Sequence, residues 1–234
     1  MYHKGGVKVT TSRVDVSDDY LLFDLMEREL FTAVLCDVMD SMGYRNQAMS
    51  EVIRPLDPAF VFAGRAKTIL AADVYHVSQE PYKIEIAALD SILPNEVVVV
   101  GTGNSRRSGF WGELLSTAAR ARGARGAVMD GLVRDVRQII QLGFPVFAAG
   151  IKPVDSKGRG LVIDFDCPIQ CGGVTVNPGD VVMADYDGVA VIPKGIVTEA
   201  VQAALGKVEK EDQTRDELAK GAYLKDVFER HGVL

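Results

Sequence analysis

The stretch from Glu96 to Val100 constrains this chain most: a continuous run of β-branched residues bounded by Pro94-Asn95 and Gly101. Such a run marks a strand buried on both faces, as in a parallel sheet covered by helices. The sequence around it repeats the pattern. Trp111 to Arg122 reads as a helix ending at Gly123, and Gly126 to Asp130 as a second short buried strand. Asp135 to Leu142 reads as a short helix stopped by Gly143, and Pro145 to Ala149 as a third strand. This strand–helix–strand–helix–strand order predicts a parallel core with right-handed crossovers.

The flanks differ. Asp18 to Met42 is expected to be one helix, with Leu22, Leu25, Met26, Leu30 and Ala33 near helical spacing and Gly43 as its stop. Phe60 to Leu70 carries strand-like residues interrupted at Gly64, and Pro81 to Leu93 is a further helix. From Gly160 to Pro193 the segments are short and alternating, separated by Gly172-Gly173, Pro178-Gly179 and Asp187-Gly188, which is antiparallel β character. Gly195 to Val227 reads as a long charged helix with a break near Gly221; Glu211 and Arg215 stand i,i+4 in the favourable order. The predicted class is mixed α/β, with a parallel unit in the middle, a β-rich second half and a C-terminal helix.

Composition limits the function classes. The 234 residues fit one large domain, and 47% hydrophobic content is enough for a full core. A net charge of −6 disfavours nucleic acid and anionic membrane surfaces as partners. No apolar run approaches the roughly 20 residues a spanning helix needs. Met1 to Ser12 lacks the apolar stretch of a leader. Cys36, Cys167 and Cys171 form no CxxC pair, are odd in number and read as small buried hydrophobes, so a cytoplasmic location is expected. No repeat or low-complexity tract divides the chain.

Three segments carry possible chemistry. Gly101-Thr102-Gly103-Asn104-Ser105-Arg106 follows a strand, but Arg106 replaces the third glycine of a dinucleotide fingerprint, and no helix opens directly. Gly112-Glu113-Leu114-Leu115 opens a helix, where unpaired N–H groups and the helix dipole attract an anion. There Gly112 either lets a ligand approach the backbone or only relieves packing beside Trp111. Asp130-Gly131-Leu132-Val133-Arg134-Asp135 leads a buried strand through a glycine turn into adjacent Arg and Asp. A carboxylate suits a hard cation such as Mg²⁺, and the guanidinium fork suits a carboxylate or a developing enolate. The bland alternative is a surface ion pair beside a turn. Taken together, an anion-holding helix start beside an Arg-Asp pair suits a small 2-oxo-acid. His3 and His231 fall in expected frayed ends, His76 reads as a satisfied structural histidine, and Lys207 to Lys220 as a solvated helix face. No Ser/His/Asp or Cys/His set has recognisable context.

The segments Trp111 to Arg120 and Gly126 to Asp135 resemble the class II 4-hydroxy-4-methyl-2-oxoglutarate aldolases, which group with the RraA-like regulators of ribonuclease E activity. Phe31-Thr32-Ala33 to Asp37, Gly43, Gly143 to Phe147 and Pro178 to Pro193 also fit, so the resemblance spans residues 20 to 220. It implies a swivelling β/β/α fold that assembles as a homotrimer or a hexamer made of two trimers, with the site between subunits. It further implies that Asp135 holds Mg²⁺ or Mn²⁺ directly and Glu113 holds it through water. Arg134 would bind the substrate carbonyl, and the backbone N–H groups of Gly112, Glu113, Leu114 and Leu115 the pyruvyl carboxylate. An acid from a neighbour's C-terminal helix, Glu211 or Glu209, would add a water-mediated contact. A lysine after the Phe-Pro-Val segment is implied as well, where Lys152 and Lys157 stand. The stretch Asp73 to Leu89 departs from the family pattern.

The expected activity is metal-dependent cleavage of a 4-hydroxy-2-oxo dicarboxylate to pyruvate and a second 2-oxo-acid, with oxaloacetate decarboxylation beside it. Two alternatives are a non-catalytic regulator that binds a ribonuclease, and a lyase or hydratase acting on a sugar-acid-derived substrate.

Overall fold

A computed structural model describes residues 18–233, so His3 and the Met1 to Ser12 stretch lie outside the described residues. The chain opens with two helices, α1 (Asp19–Glu29) and α2 (Thr32–Ser41), where one was expected. Leu30 and Phe31 between them are extended. The break has a tertiary cause. The Asp185 carboxylate, 153 residues on, accepts from the Thr32 N–H at 2.7 Å and from the Thr32 hydroxyl at 2.6 Å. It supplies the N-cap that the local sequence lacks.

The main sheet is assembled from β1 (Arg54–Pro55) and β2 (Phe62–Asp73), then, after α3 (Lys83–Asp90), β3 (Glu96–Gly101). Next come β4 (Gly109–Trp111), α4 (Glu113–Ala121), β5 (Gly126–Met129), β6 (Leu132–Val133), α5 (Val136–Leu142) and β7 (Val146–Ala148). Strands β7, β5, β3 and β2 lie side by side and parallel, as the buried runs predicted. On β3 the valines divide between two cores. Val98 and Val100 pack with Ile69, Trp111, Met129 and Ile139, while Val97 and Val99 pack with Phe62, Val128 and Phe147. Each fully buried valine contributes about 1.5–3 kcal/mol of apolar transfer.

Two expectations at this level are corrected. β2 runs unbroken through Gly64, where a Cβ would lie 2.7 Å from the Asn95 carbonyl oxygen and from Val97 Cγ2; the glycine marks close strand packing, not an interruption. Trp111 belongs to β4 rather than to the following helix. It pairs in parallel with Val133 of β6, and its indole N–H donates to the Ser116 hydroxyl at 2.8 Å.

The second half is β-rich as expected: β8 (Gly160–Phe165), β9 (Ile169–Cys171), β10 (Val174–Val176), β11 (Val181–Asp185) and β12 (Gly188–Ile192). Both β8 and β11 lie antiparallel along β2, and β9 with β10 forms a separate hairpin. The tail forms α6 (Val197–Ala219) and α7 (Leu224–His231), divided at Gly221 with φ 91. Against expectation His231 is docked, its Nε2 2.8 Å from Glu217 Oε1. α1, α2 and α6 bury their apolar faces on the β11–β12 hairpin in a third core. Cys171 is buried, Cys36 and Cys167 half-buried, and all three are free thiols. Among the described residues no helix is long and apolar enough to cross a membrane.

Candidate active site

The site forms where the parallel strands end. Asp130, at the end of β5, is buried and accepts from the Thr102 N–H at 2.6 Å, the Thr102 hydroxyl at 2.7 Å and the Asn104 N–H at 3.2 Å. The glycine-rich loop after β3 is therefore folded around a structural carboxylate. Gly131 allows that approach, since a Cβ there would stand 2.8 Å from Thr102 Cγ2.

The chain then passes through β6 into Asp135, whose φ of 58 and ψ of 32 are left-handed. A non-glycine residue held there is strained, and such strain concentrates at functional sites. Asp135 stands at the N-cap of α5, yet its side chain makes no capping bond to that helix. It turns instead to the start of α4, where Oδ2 accepts from the Glu113 N–H at 3.3 Å. Gly112 makes this possible: a Cβ there would lie 2.8 Å from Asp135 Oδ2 and 3.3 Å from Arg134 Cγ. The structure thus brings the Gly112–Leu115 and Arg134-Asp135 segments together. Leu114 is 77% exposed, and its N–H, like that of Leu115, meets no acceptor among the described residues. The Glu113 carboxylate accepts from the Thr117 hydroxyl at 2.6 Å.

Arg134 lies between two acids. Its Nε is 3.9 Å from Asp135 Oδ2 and its Nη2 is 3.2 Å from Asp155 Oδ1. Asp155 sits in the turn before β8, and its Oδ2 accepts from the Tyr82 hydroxyl at 2.6 Å and the Lys157 N–H at 3.3 Å. Burial alone would raise the Asp155 carboxyl; the bonds from Tyr82 and Lys157 and the Arg134 charge outweigh it and hold the group below the ordinary carboxylate range. The same bond to Asp155, with burial, pushes the Tyr82 phenol up to about 12. Glu85, buried on α3, is pushed up to about 7 by burial and by Asp155, against the pull of Arg134.

Tyr82, Glu85 and Asp155 were not among the residues expected from sequence. The only signal was that Asp73 to Leu89 departs from the family pattern, and that stretch holds Tyr82 and Glu85. His76 is exposed in the bend after β2, not a satisfied structural histidine. Lys152 donates to the Arg106 carbonyl oxygen at 2.7 Å, and Lys157 is exposed. Glu211 lies on α6, 3.8 Å from Lys207 Nζ, and Glu209 is exposed on the same helix. Since α6 packs chiefly on α1, α2 and α7, neither acid joins Asp135 within one chain.

Among the described residues no three His, Cys, Asp or Glu side chains converge to hold a metal. The donor set still fits Mg²⁺ or Mn²⁺, which accepts one or two carboxylates and keeps several waters. Asp135 would give a direct oxygen, since among the described residues its carboxylate accepts only the 3.3 Å bond from Glu113 N–H. Glu113 would act through water.

A family model described as RraA-like (Aldolase/RraA) matches residues 32–191. Over 189 residues the chain is 31% identical to a protein of Halalkalibacterium halodurans named "Putative 4-hydroxy-4-methyl-2-oxoglutarate aldolase", covering 81% of this chain and 84% of that one. Over 200 residues it is 30% identical to Protein DlpA of Legionella pneumophila; this covers 85% of the chain but 32% of that relative, so the chain spans about a third of its length. A solved structure, Streptomyces coelicolor RraAS2, described as an unusual member of the RNase ES inhibitor RraA protein family, superimposes with TM-score 0.75 and 28% identity over 87% of this chain and 98% of that one.

Proposed function

This chain belongs to the RraA-like family, and from that premise we propose that it is a divalent-metal lyase. Its substrate in this reading is a 4-hydroxy-2-oxo dicarboxylate of the 4-hydroxy-4-methyl-2-oxoglutarate type, cleaved to pyruvate and a second 2-oxo-acid. The observation that carries the reading is the bare Gly112 position, which lets the Asp135 carboxylate stand against the opening turn of α4 with Arg134 beside it. An anion site, a cation-binding oxygen and a fork of donors then face one small space.

Each residue has a task in the cleavage. The N–H groups of Leu114 and Leu115 hold the substrate's C1 carboxylate at the positive end of the helix. Arg134 donates to the C2 oxygen, where negative charge grows as the C3–C4 bond breaks and the pyruvate enolate forms. Glu113, through water, takes the C4 hydroxyl proton as C4 becomes a carbonyl, the C3–C4 bonding pair passes to the enolate, and the same proton returns through that water to C3. Asp135 would hold Mg²⁺ or Mn²⁺, which when bound would supply Lewis acidity at the 2-oxo group. Loss of CO₂ from oxaloacetate leaves the same enolate, so decarboxylation is the expected second activity.

The site is proposed to be shared in a trimer or a hexamer of two trimers. Leu114, on the opening turn of α4, and Ile151, bridged to Val133, are 77% and 66% exposed and would be covered by a neighbour, whose Glu211 or Glu209 would add the water-mediated contact.

The test is pyruvate release from 4-hydroxy-4-methyl-2-oxoglutarate and from oxaloacetate, with Mg²⁺ and with EDTA. The reading requires release that chelation abolishes; equal rates in both would sink it. A regulator of a ribonuclease is the second reading, favoured by the likeness to RraAS2. Stable binding of a ribonuclease with no pyruvate from any oxo-acid would establish that order instead. A hydroxyl-rich, sugar-acid-derived substrate is the third, favoured by the acid, Glu85, that α3 brings toward Arg134 in the stretch that departs from the family pattern.

A further inference from the structure

Arg134 cannot aim itself. Its side chain is 37% exposed, its distance to Asp135 Oδ2 is 3.9 Å, beyond hydrogen bonding, and an arginine with a loose fork loses much of its value as an oxyanion donor. The second acid is better fixed. Asp155 stands on a segment clamped at three points: the Val133 N–H donates to the Gly150 carbonyl at 3.0 Å, the Lys152 N–H to the Val133 carbonyl at 2.8 Å, and the Gly109 N–H to the Val154 carbonyl at 2.8 Å. That clamp runs this segment beside β6, the strand that delivers Arg134. The Asp155 carboxylate is then held by the Tyr82 hydroxyl from α3 at 2.6 Å. Glu85, three residues beyond Tyr82, is buried in α3, which Tyr82 N-caps, and adds a second acid at this flank of Arg134.

We infer that Asp155, locked by Tyr82, is the positioning residue for Arg134, fixing which N–H edge of the guanidinium faces the oxo-acid. The ion pair at 3.2 Å engages Nη2, Nε faces Asp135 Oδ2 at 3.9 Å, and Nη1, with no partner among the described residues, is left to the ligand. Tyr82 serves as a donor only, because its phenol stays protonated and its bond restricts Asp155 to one rotamer. This assignment rests on the lyase reading for the reaction it serves, but not for the geometry it sets.

The experiment is a double-mutant cycle between Asp155→Asn and Arg134→Ala, with Tyr82→Phe and Asp155→Glu alongside, on the full chain with Mg²⁺. Four quantities are read: oxalate affinity by calorimetry, kcat and KM for pyruvate release, and Tm. Asp155→Asn is expected to lower kcat by about 10- to 100-fold with KM within about twofold, as a misaimed catalytic group does. Tyr82→Phe should fall between it and wild type, and Asp155→Glu should recover part of the loss. In the Arg134→Ala background, Asp155→Asn should have no further effect on oxalate affinity, because its action passes through Arg134. Losses that add in the double variant, or a fall in Tm with kcat intact, would overturn the assignment. If the wild type releases no pyruvate, the lyase reading fails, and the oxalate cycle still decides this one.

Discussion

At position 112 the backbone is ordinary, with φ −147 and ψ −172, so any residue could adopt it. What excludes a side chain is the Asp135 oxygen 2.8 Å from the Cβ position. Gly112→Ala is therefore expected to leave Tm nearly unchanged and to cut oxo-acid turnover by about 100-fold, since displacement of about 1 Å at a reacting group has that effect. Asp135 is the reverse case, strained in backbone and placed for chemistry. Asn tolerates left-handed geometry, so Asp135→Asn should fold with wild-type Tm and lose Mg²⁺-dependent turnover. Glu85 makes a pH-dependent contribution. Its folded value of about 7 lies above the ordinary 4.5, so the folded state binds the proton more tightly. Stability is then fullest below pH 4.5 and falls as pH rises through 7, by about 3 kcal/mol for this group. Glu85→Gln should flatten that slope in urea titrations at pH 5 and pH 8; an unchanged slope would contradict the burial account. The sequence displayed Gly112 and the Arg134-Asp135 pair because each follows a short buried strand. Tyr82, Glu85 and Asp155 were not legible, because an acid or a phenol in a helix or turn has no signature until the fold sets an arginine beside it.

The elements divide in the same way. The runs at Glu96–Val100, Gly126–Asp130 and Pro145–Ala149 were legible as parallel strands because burial on both faces leaves an uninterrupted apolar run. The broken first helix was not legible, since its only cause is Asp185 at the end of β11. Asp185→Ala should destabilise the protein by about 1–2 kcal/mol, the usual value of an N-cap, seen as a lower urea midpoint with unchanged slope. Gly64 and Trp111 misled for related reasons. One glycine served tight packing inside a strand, and one aromatic beside a helix start belonged to the short β4–β6 ladder, where Trp111 pairs with Val133, the residue before Arg134.

Across the whole molecule, the site draws on the ends of β3 and β5, the start of α4, the turn before β8 and the N-terminal end of α3, segments that fall between residues 82 and 155. The exposed Leu114 and Ile151 beside it suit the proposed completion of the site by a neighbouring subunit. The proposed shared site predicts that dilution to monomers abolishes turnover, with light scattering and rate falling together. The central claim is that Arg134 and Asp135 carry out metal-dependent oxo-acid cleavage. The most direct test is the initial rate of pyruvate release with saturating Mg²⁺ for wild type, Arg134→Ala and Asp135→Ala in parallel. The account predicts release by wild type and a loss of at least about 100-fold in each variant. Near-normal turnover in either variant would contradict it.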